Sequence, residues 1–432
     1  MSSPGLDDQM HYPEVSGVSV AASSRDDSGI AMVLVVGVSV ILFLLATTIL
    51  VVASYLTMMT RAQEVRLKAV HVADAGLNAY LYELRRDPLY WVDHPVLGPT
   101  VQDDGSWVVT ATAPTTTDAL ILRAEGSSGS SPASVTVVAT VRFPTFADYM
   151  FLSGTDINIG LGAVITGKVR SNGNVDNDGE IMGATYAVGR ITGSGTFGTA
   201  LPLGSQTMFP GDAEIDFGQV SRDTQAMREA AVAAGSYLDA SGSLGYRITI
   251  TGTTYTAQKV IAVMSNRYLS LDGTVITRTI PPVGVIYVLG DAWVSGTYST
   301  PVTVCGSNDI YVPDNYRPAD MNSRVTAGLI AGRSIIVPTY YDSVPDSMTL
   351  TAALLAETGQ VYGDLSMDHL HSHMTINGSI AYSTYSWFVL SDLSRGWRTR
   401  TYAYDRRLDL YPPPRFPIVH EGSLKVNTWM EN

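Results

Sequence analysis

The chain has 432 residues, 45% of them hydrophobic and 16% charged, a balance that excludes global disorder. Acidic residues outnumber basic ones by 40 to 27, for a net charge of −13, and a nucleic-acid partner, which calls for a basic excess, is not expected. The 39 Gly and 21 Pro suit many short strands better than a helical bundle, and the single cysteine, Cys305, cannot form an internal disulfide.

Residues 1–29 form a short polar leader ending in Gly29. No charge occurs between Asp27 and Arg61, and residues 30–56 are almost wholly apolar. As a helix this run spans roughly 40 Å, enough to cross a hydrocarbon core about 30 Å thick. It is too long for the apolar region of a cleaved secretory signal. The helix is expected to continue, because Ala62, Val65, Ala69, Ala73, Leu77, Tyr80 and Leu84 recur at three- and four-residue spacing and draw one apolar stripe. Asp87-Pro88 ends it, since the residue before proline avoids the helical region. Residues 30–87 therefore read as one helix, half suited to lipid and half amphipathic.

A polar leader ending in Gly29, an apolar helix and an amphipathic continuation together resemble a type IV pilin precursor. Residues 71–81, HVADAGLNAYL, resemble the A-E-A-G-L box of PilX-type minor pilins, with Asp74 where that family has Glu. The resemblance implies cleavage between Gly29 and Ile30, a single-pass membrane anchor, and other pilin-like subunits as partners. It departs from the major pilins at Leu34, the fifth residue after Gly29, where those proteins carry Glu. The cations Arg61, Arg66 and Lys68 would by themselves hold the following domain in the cytoplasm, whereas the pilin resemblance implies an extracytoplasmic body.

Within residues 88–145, the β-branched runs 105–114, 119–126 and 133–143 are separated by Gly- and Ser-rich segments, and predict a small antiparallel sheet lying on the amphipathic half of the helix. From residue 146 to 420 very short apolar pieces alternate with Gly, Asn and Asp, which predicts a parallel β-helix, or β-solenoid, with a β-sandwich as the alternative. An insertion at about 211–282 reads as a small side element, with an Ala-rich helix over 220–238 capped by Ser221 and followed by two strands. Residues 421–432 read as a C-terminal tail. The fold class is therefore mainly β: a long N-terminal helix, a small antiparallel sheet, then a solenoid. Stretches such as TGKVRSNGNV, GLIAGRSIIVP and INGSIA resemble the β-helical bodies of bactofilin-like envelope proteins, whose family role is architectural.

Three clusters could carry chemistry. Asn174, Asp176 and Asp178 before Gly179 match the first half of an EF-hand calcium loop, but Thr185 stands where its bidentate Glu belongs, and Asn-Asp-Gly is also ordinary turn chemistry. His369, His371 and His373 alternate as metal ligands on one strand face would, although three on one strand splay apart. The clusters Asp364/Asp368 and Asp176/Asp178/Glu180 could be read as polysaccharide-cleaving carboxylates. Pro412, Pro413, Pro414 and Pro417 form either a polyproline ligand or an extended strap closing the solenoid, held down by Tyr411 and Phe416. No nucleophile elbow or phosphate loop is present.

The expectation is a non-catalytic, extracytoplasmic structural subunit of a pilus-like or secretion-type filament. It needs no cofactor, apart from the calcium alternative, and no small-molecule substrate. The alternatives are a polysaccharide-acting envelope enzyme and a cytoplasmic bactofilin-like scaffold. Two outcomes follow from the sequence. The full-length chain is expected in the membrane fraction; solubility without detergent would remove the anchor. N-terminal sequencing of native protein is expected to begin at Ile30; a start at Met1 or Ser2 would leave an unprocessed anchor.

Overall fold

The computed structural model describes residues 28–86, 90–102, 105–112, 119–129, 134–264, 268–340, 344–364, 369–387, 394–419 and 424–431. Two compact units divide the chain, residues 1–65 and 66–432, and helix α1 (Ser28–Arg86) contributes to both.

In the first unit the described residues are helix, and the large apolar side chains from Met32 to Met59 are exposed. Among the described residues this is one helix long and apolar enough to cross a membrane. The hydroxyls inside the apolar run are satisfied locally. Ser39, Thr48, Ser54 and Thr57 each donate to the carbonyl four residues back, at 2.7–2.8 Å. Such back-bonding lets a polar side chain sit in an apolar stretch without an orphaned donor.

In the second unit α1 becomes one wall of a helix–sheet layer. The sheet has strand order β1 (Val96–Gln102), β2 (Gly105–Thr112), β3 (Leu120–Ser128), β4 (Ser134–Arg142) and β5 (Lys425–Glu431), antiparallel throughout. Alternation of buried and exposed residues along β2–β4 turns one sheet face to the helix. There Ala69, Ala73, Leu77, Tyr80 and Leu84 pack with Trp107, Val109, Leu122, Ala124, Val137 and Ala139. The approach is close because small residues face it. A Cβ on Gly76 would lie 2.7 Å from the Trp107 indole, and one on Gly126 would strike the backbone of Ala69 and Ala73.

This layer corrects one sequence expectation. The stretch read as a tail, 421–432, contains a strand, since β5 pairs with β4 from Lys425↔Arg142 to Glu431↔Val137. Sequence periodicity could not reveal this pairing, because it joins distant segments. The sheet lies on the amphipathic half of the helix as the stripe predicts, so a soluble fragment must retain residues 66–86.

Between β4 and β5 the chain builds the large parallel-strand stack. One face holds ten strands among the described residues. In spatial order they begin Tyr237–Asp239, Val285–Leu289, Val302–Gly306, Ala327–Ala331 and the second halves of Ser347–Ala356 and Leu370–Tyr382. The remaining four are Phe151–Ser153, Val169–Ser171, Thr185–Ala187 and Met208–Pro210. A second face runs from Gly245–Gly252 and Asp291–Tyr298 through Gly396–Tyr404 to Val164–Thr166, Glu180–Ile181 and Thr196–Phe197. Spatial order thus departs from chain order. The chain enters mid-stack at Phe151, builds to Met208–Pro210, crosses to the far end, and returns until Ile380–Tyr382 pairs with Phe151–Ser153.

Each coil turns alternate residues inward, and one core joins both halves through Phe151, Val169, Ile286, Val304, Leu329, Leu354 and Ile380. The crossing segment contains helix α2 (Val220–Ala234), ended by Gly235 at φ 72°. Ser221 is not its cap; the N-cap is Gln219, with no side-chain bond, and the Ser221 hydroxyl bonds Glu357 instead. Nor are residues 211–282 a separate side element. α2 covers the outside of the first face, residues 237–239 and 245–252 continue the two faces as parallel strands, and only the antiparallel hairpin Thr254–Val263/Leu269–Thr279 is added.

A second apolar layer results. Outward-facing Leu152, Tyr287, Cys305, Ile330, Leu355 and Ala381 are buried beneath Val220, Met227, Ala231, Phe146, Leu408 and Phe416. The helix–sheet seam is expected to tolerate no added volume. Gly126→Val should weaken its packing by about 1–3 kcal/mol, whereas Gly160→Ala, with open space around it, should change nothing. Urea unfolding of the full chain in detergent checks both.

Candidate functional site

The junction between the small sheet and the stack carries the most concentrated polar chemistry. Thr145 and Asp148 form a capping box around the short helix Phe146–Asp148: Ala147 N donates to Thr145 Oγ1 at 3.3 Å and Thr145 N to Asp148 Oδ2 at 2.9 Å. Arg142, at the end of β4, closes on the same carboxylate. Its Nη1 reaches Asp148 Oδ2 at 3.1 Å, its Nη2 bonds Oδ1, and both side chains are about 1–2% exposed. The remaining guanidinium donors reach the carbonyls of Asp409 at 3.0 Å, Phe143 at 3.2 Å and Leu408 at 3.4 Å. The strands continue across the junction through Phe146 N to Pro417 O at 3.0 Å and Val419 N to Pro144 O at 2.7 Å. Sequence reading missed this latch, although T-x-x-D beside a short helix is a legible capping signal.

Of the calcium residues, Asn174 and Asp178 flank the strand Val175–Asn177 and Asp176 lies within it, and their oxygens serve the next coil. Asn174 Oδ1 accepts from Arg190 N at 2.9 Å, Asp176 Oδ1 from Thr192 Oγ1 at 3.0 Å, and Asp178 Oδ1 from Ser194 N at 3.1 Å and Ser194 Oγ at 2.8 Å. The Ser194 backbone and hydroxyl donors hold the Asp178 carboxyl below its ordinary range. These are the bonds of a stacked turn.

The histidines are similarly dispersed. His371 stacks on Trp397 at 4.5 Å and its Nε2 meets Thr339 O at 3.0 Å. His373 Nδ1 meets Thr399 Oγ1 at 2.7 Å, its Nε2 meets Thr375 Oγ1 at 3.0 Å, and His369 is exposed. Among the described residues no group of three or more His, Cys, Asp or Glu could hold a metal ion. Of the carboxylate pairs, Asp368 lies outside the described residues. Gly29 and Ile30 fall in the first turn of α1.

The proline segment is a strap. Pro412, Pro413 and Pro414 are buried, Thr326 Oγ1 donates to Tyr411 O at 2.7 Å, and Thr303 Oγ1 donates to Pro414 O at 2.6 Å. At two positions beneath it there is no room for a side chain. A Cβ on Gly284 would lie 2.6 Å from Pro414, and one on Gly328 would lie 2.8 Å from the Phe416 ring.

A cavity of about 440 Å³ lies beside residues 160–164, with Arg400, Thr401 and Tyr402 completing its wall. That lining includes no carboxylate, imidazole or thiol, and Arg400 Nη1 is bonded to Trp397 O at 2.8 Å. Under α2, burial pushes the Cys305 thiol well up and also raises the Glu357 carboxyl, which the Ser221 hydroxyl partly pulls back.

No family model matches the chain, and no curated protein does. A solved structure, the competence-associated pilin ComZ from Thermus thermophilus, aligns with a TM-score of 0.31 and 13% identity, over 85% of this chain and 98% of that one. At that score the likeness carries no weight for fold or function.

The buried Cys305 and the half-buried Glu357 under α2 have measurable consequences. Cys305 is expected to resist a thiol reagent at pH 8 in the folded chain and to react fully in denaturant. Glu357 titrates higher folded than unfolded, so its contribution becomes unfavourable as pH rises through the ordinary glutamate range and stays so above it. Glu357→Gln should therefore stabilise the chain at pH 7, by less than about 1 kcal/mol for this half-exposed group. The gain should vanish below about pH 4. Thermal unfolding at the two pH values checks the sign.

Proposed function

We propose that the chain is a membrane-anchored structural subunit of a pilus-like or secretion-type filament, with its stack as an inserted extracytoplasmic body and no catalytic role. One observation carries the reading. A single helix exposes an unbroken apolar surface over its first half and supplies one wall of a helix–sheet layer in its second. The stretch that resembles the minor-pilin box lies at that seam. Its Ala73, Gly76 and Leu77 are buried there, and Gly76 admits the Trp107 ring. An apolar helix of this kind keeps its surface out of water either in lipid or among like helices.

The stack supports the architectural reading. Its coils contact their neighbours in a regular ladder, which suits spacing or display. The carboxylates and histidines that could be read as catalytic or metal-binding are engaged separately at corners and on strands, with no described nucleophile, base and orienting group together. A polysaccharide-acting envelope enzyme and a bactofilin-like cytoplasmic scaffold remain the competing classes, and protease added to whole cells separates the scaffold, which it would not reach.

Site-specific crosslinking tests the reading. Leu67, 58% exposed on α1, and Val40, 52% exposed, are suitable positions, whereas Ala69 is fully buried against the sheet. Photo-crosslinkers at Val40 and Leu67 in the native membrane are expected to capture other pilin-like subunits. Capture of lipid alone, with cleavage of an envelope polysaccharide by the purified chain, would replace this reading with the enzyme.

A further inference from the structure

The C-terminal strand ends on α1 close to where the uncharged run stops. Arg66 donates to Glu431 Oε1 through Nε at 3.1 Å, and its Nη2 lies 2.9 Å from the same oxygen. The uncharged run ends at Thr60, six residues earlier on the same helix, or about 9 Å along the axis. Helical side chains lean toward the helix N-terminus, so Arg66 reaches back in the direction of that run. The course of β5 agrees. Val135 of β4 pairs with Gly126, which meets the backbone of Ala69 and Ala73, and β5 runs toward that end, from Lys425↔Arg142 to Glu431↔Val137.

Apolar side chains are exposed at this corner on both faces of the sheet. Trp429 pairs with Ala139 and Glu431 with Val137, both buried on the helix side, whereas Met430 pairs with Val138 and points the other way. Trp429 is 43% exposed and Met430 54%, on the edge strand of the sheet. A protein docked on either face would cover one of them and leave the other in water. An edge that dips into a lipid headgroup layer covers both. That layer extends about 5–7 Å beyond the hydrocarbon core on each side. Tryptophan favours it, having an apolar body and one N–H donor. The charges suit the same place, because Arg66 and Glu431 neutralise each other in one ion pair.

We propose that the end of β5, Trp429–Glu431, seats the body on the headgroup layer of the bilayer that holds α1. The inference rests on the membrane-anchor reading and adds a second contact with the same membrane, made by the last strand of the chain.

The test is fluorescence quenching in the full-length chain, reconstituted into vesicles of phosphatidylcholine and phosphatidylglycerol whose acyl chains are brominated near the ester. Cys305 is 1% exposed, so a thiol-reactive fluorophore labels the introduced cysteine. Met430→Cys reads the corner, Val40→Cys the apolar run, and Val232→Cys, at a position 57% exposed on α2, the stack. Brominated lipid is expected to lower the emission at least two-fold for the labels at Met430 and Val40, and to leave the label at Val232 unchanged. Trp429→Glu, added to the Met430→Cys chain, is expected to remove most of the quenching there with an unchanged circular dichroism spectrum; undiminished quenching would overturn the role of Trp429. Quenching at Val40 without quenching at Met430 would overturn the seat and leave the anchor standing. Quenching at neither would overturn both together. Equal quenching at Met430 and Val232 would overturn the assignment to this corner.

Discussion

The architecture depends on one buried ion pair. The stack is inserted between two neighbouring strands of the small sheet, so two chain crossings connect them, and Arg142–Asp148 locks those crossings. Burying two charges is costly, and the cost is offset here because every guanidinium N–H has an acceptor and the carboxylate also takes the Thr145 backbone N–H. The carbonyls of Leu408 and Asp409 come from the far end of the insertion, so the same side chain ties its first and last turns to β4.

The course of the stack imposes a second constraint. Because the chain enters mid-stack, the coil at Phe151–Ser153 lacks one neighbour until residues 380–382 arrive, more than two hundred residues later. Helix α2 and the proline strap cover the returning half of the same face. Their apolar residues bury outward-facing side chains that would otherwise be exposed. Gly284 and Gly328 let the strap approach the strands directly. The outer face is therefore a core layer, and burial there is the leading cause of the raised pKa values of Cys305 and Glu357.

The polar residues that invite a chemical interpretation mostly serve repetition. Asp176 with Thr192, on paired strands, and Asp178 with Ser194, at a turn, bond successive coils. His373 bridges the hydroxyls of two strands. Stacked coils place the same corner atoms at a fixed spacing, so acceptors meet donors one coil away and do not converge on a single point. The apolar surface of α1 has no counterpart within its own unit, and this asymmetry carries the functional reading.

The sequence by itself determined the features that depend on local composition. The uncharged run before Arg61 specifies a helix suited to lipid, and the stripe from Ala69 to Leu84 specifies a buried face. The alternation in residues 105–112 and 134–142 specifies half-buried strands, and the short apolar pieces between glycines specify parallel stacking. Tertiary structure alone decided which distant segments meet. Val169 faces Thr185 sixteen residues on, whereas Leu350 faces Ile376 twenty-six residues on, so no constant period announces the coils or their spatial order. Lys425–Glu431 is too short and too polar to reveal itself as a fifth strand until β4 offers an unpaired edge. Arg142 reads as a surface charge until the return of residues 408–409 supplies the carbonyls that make its burial tolerable.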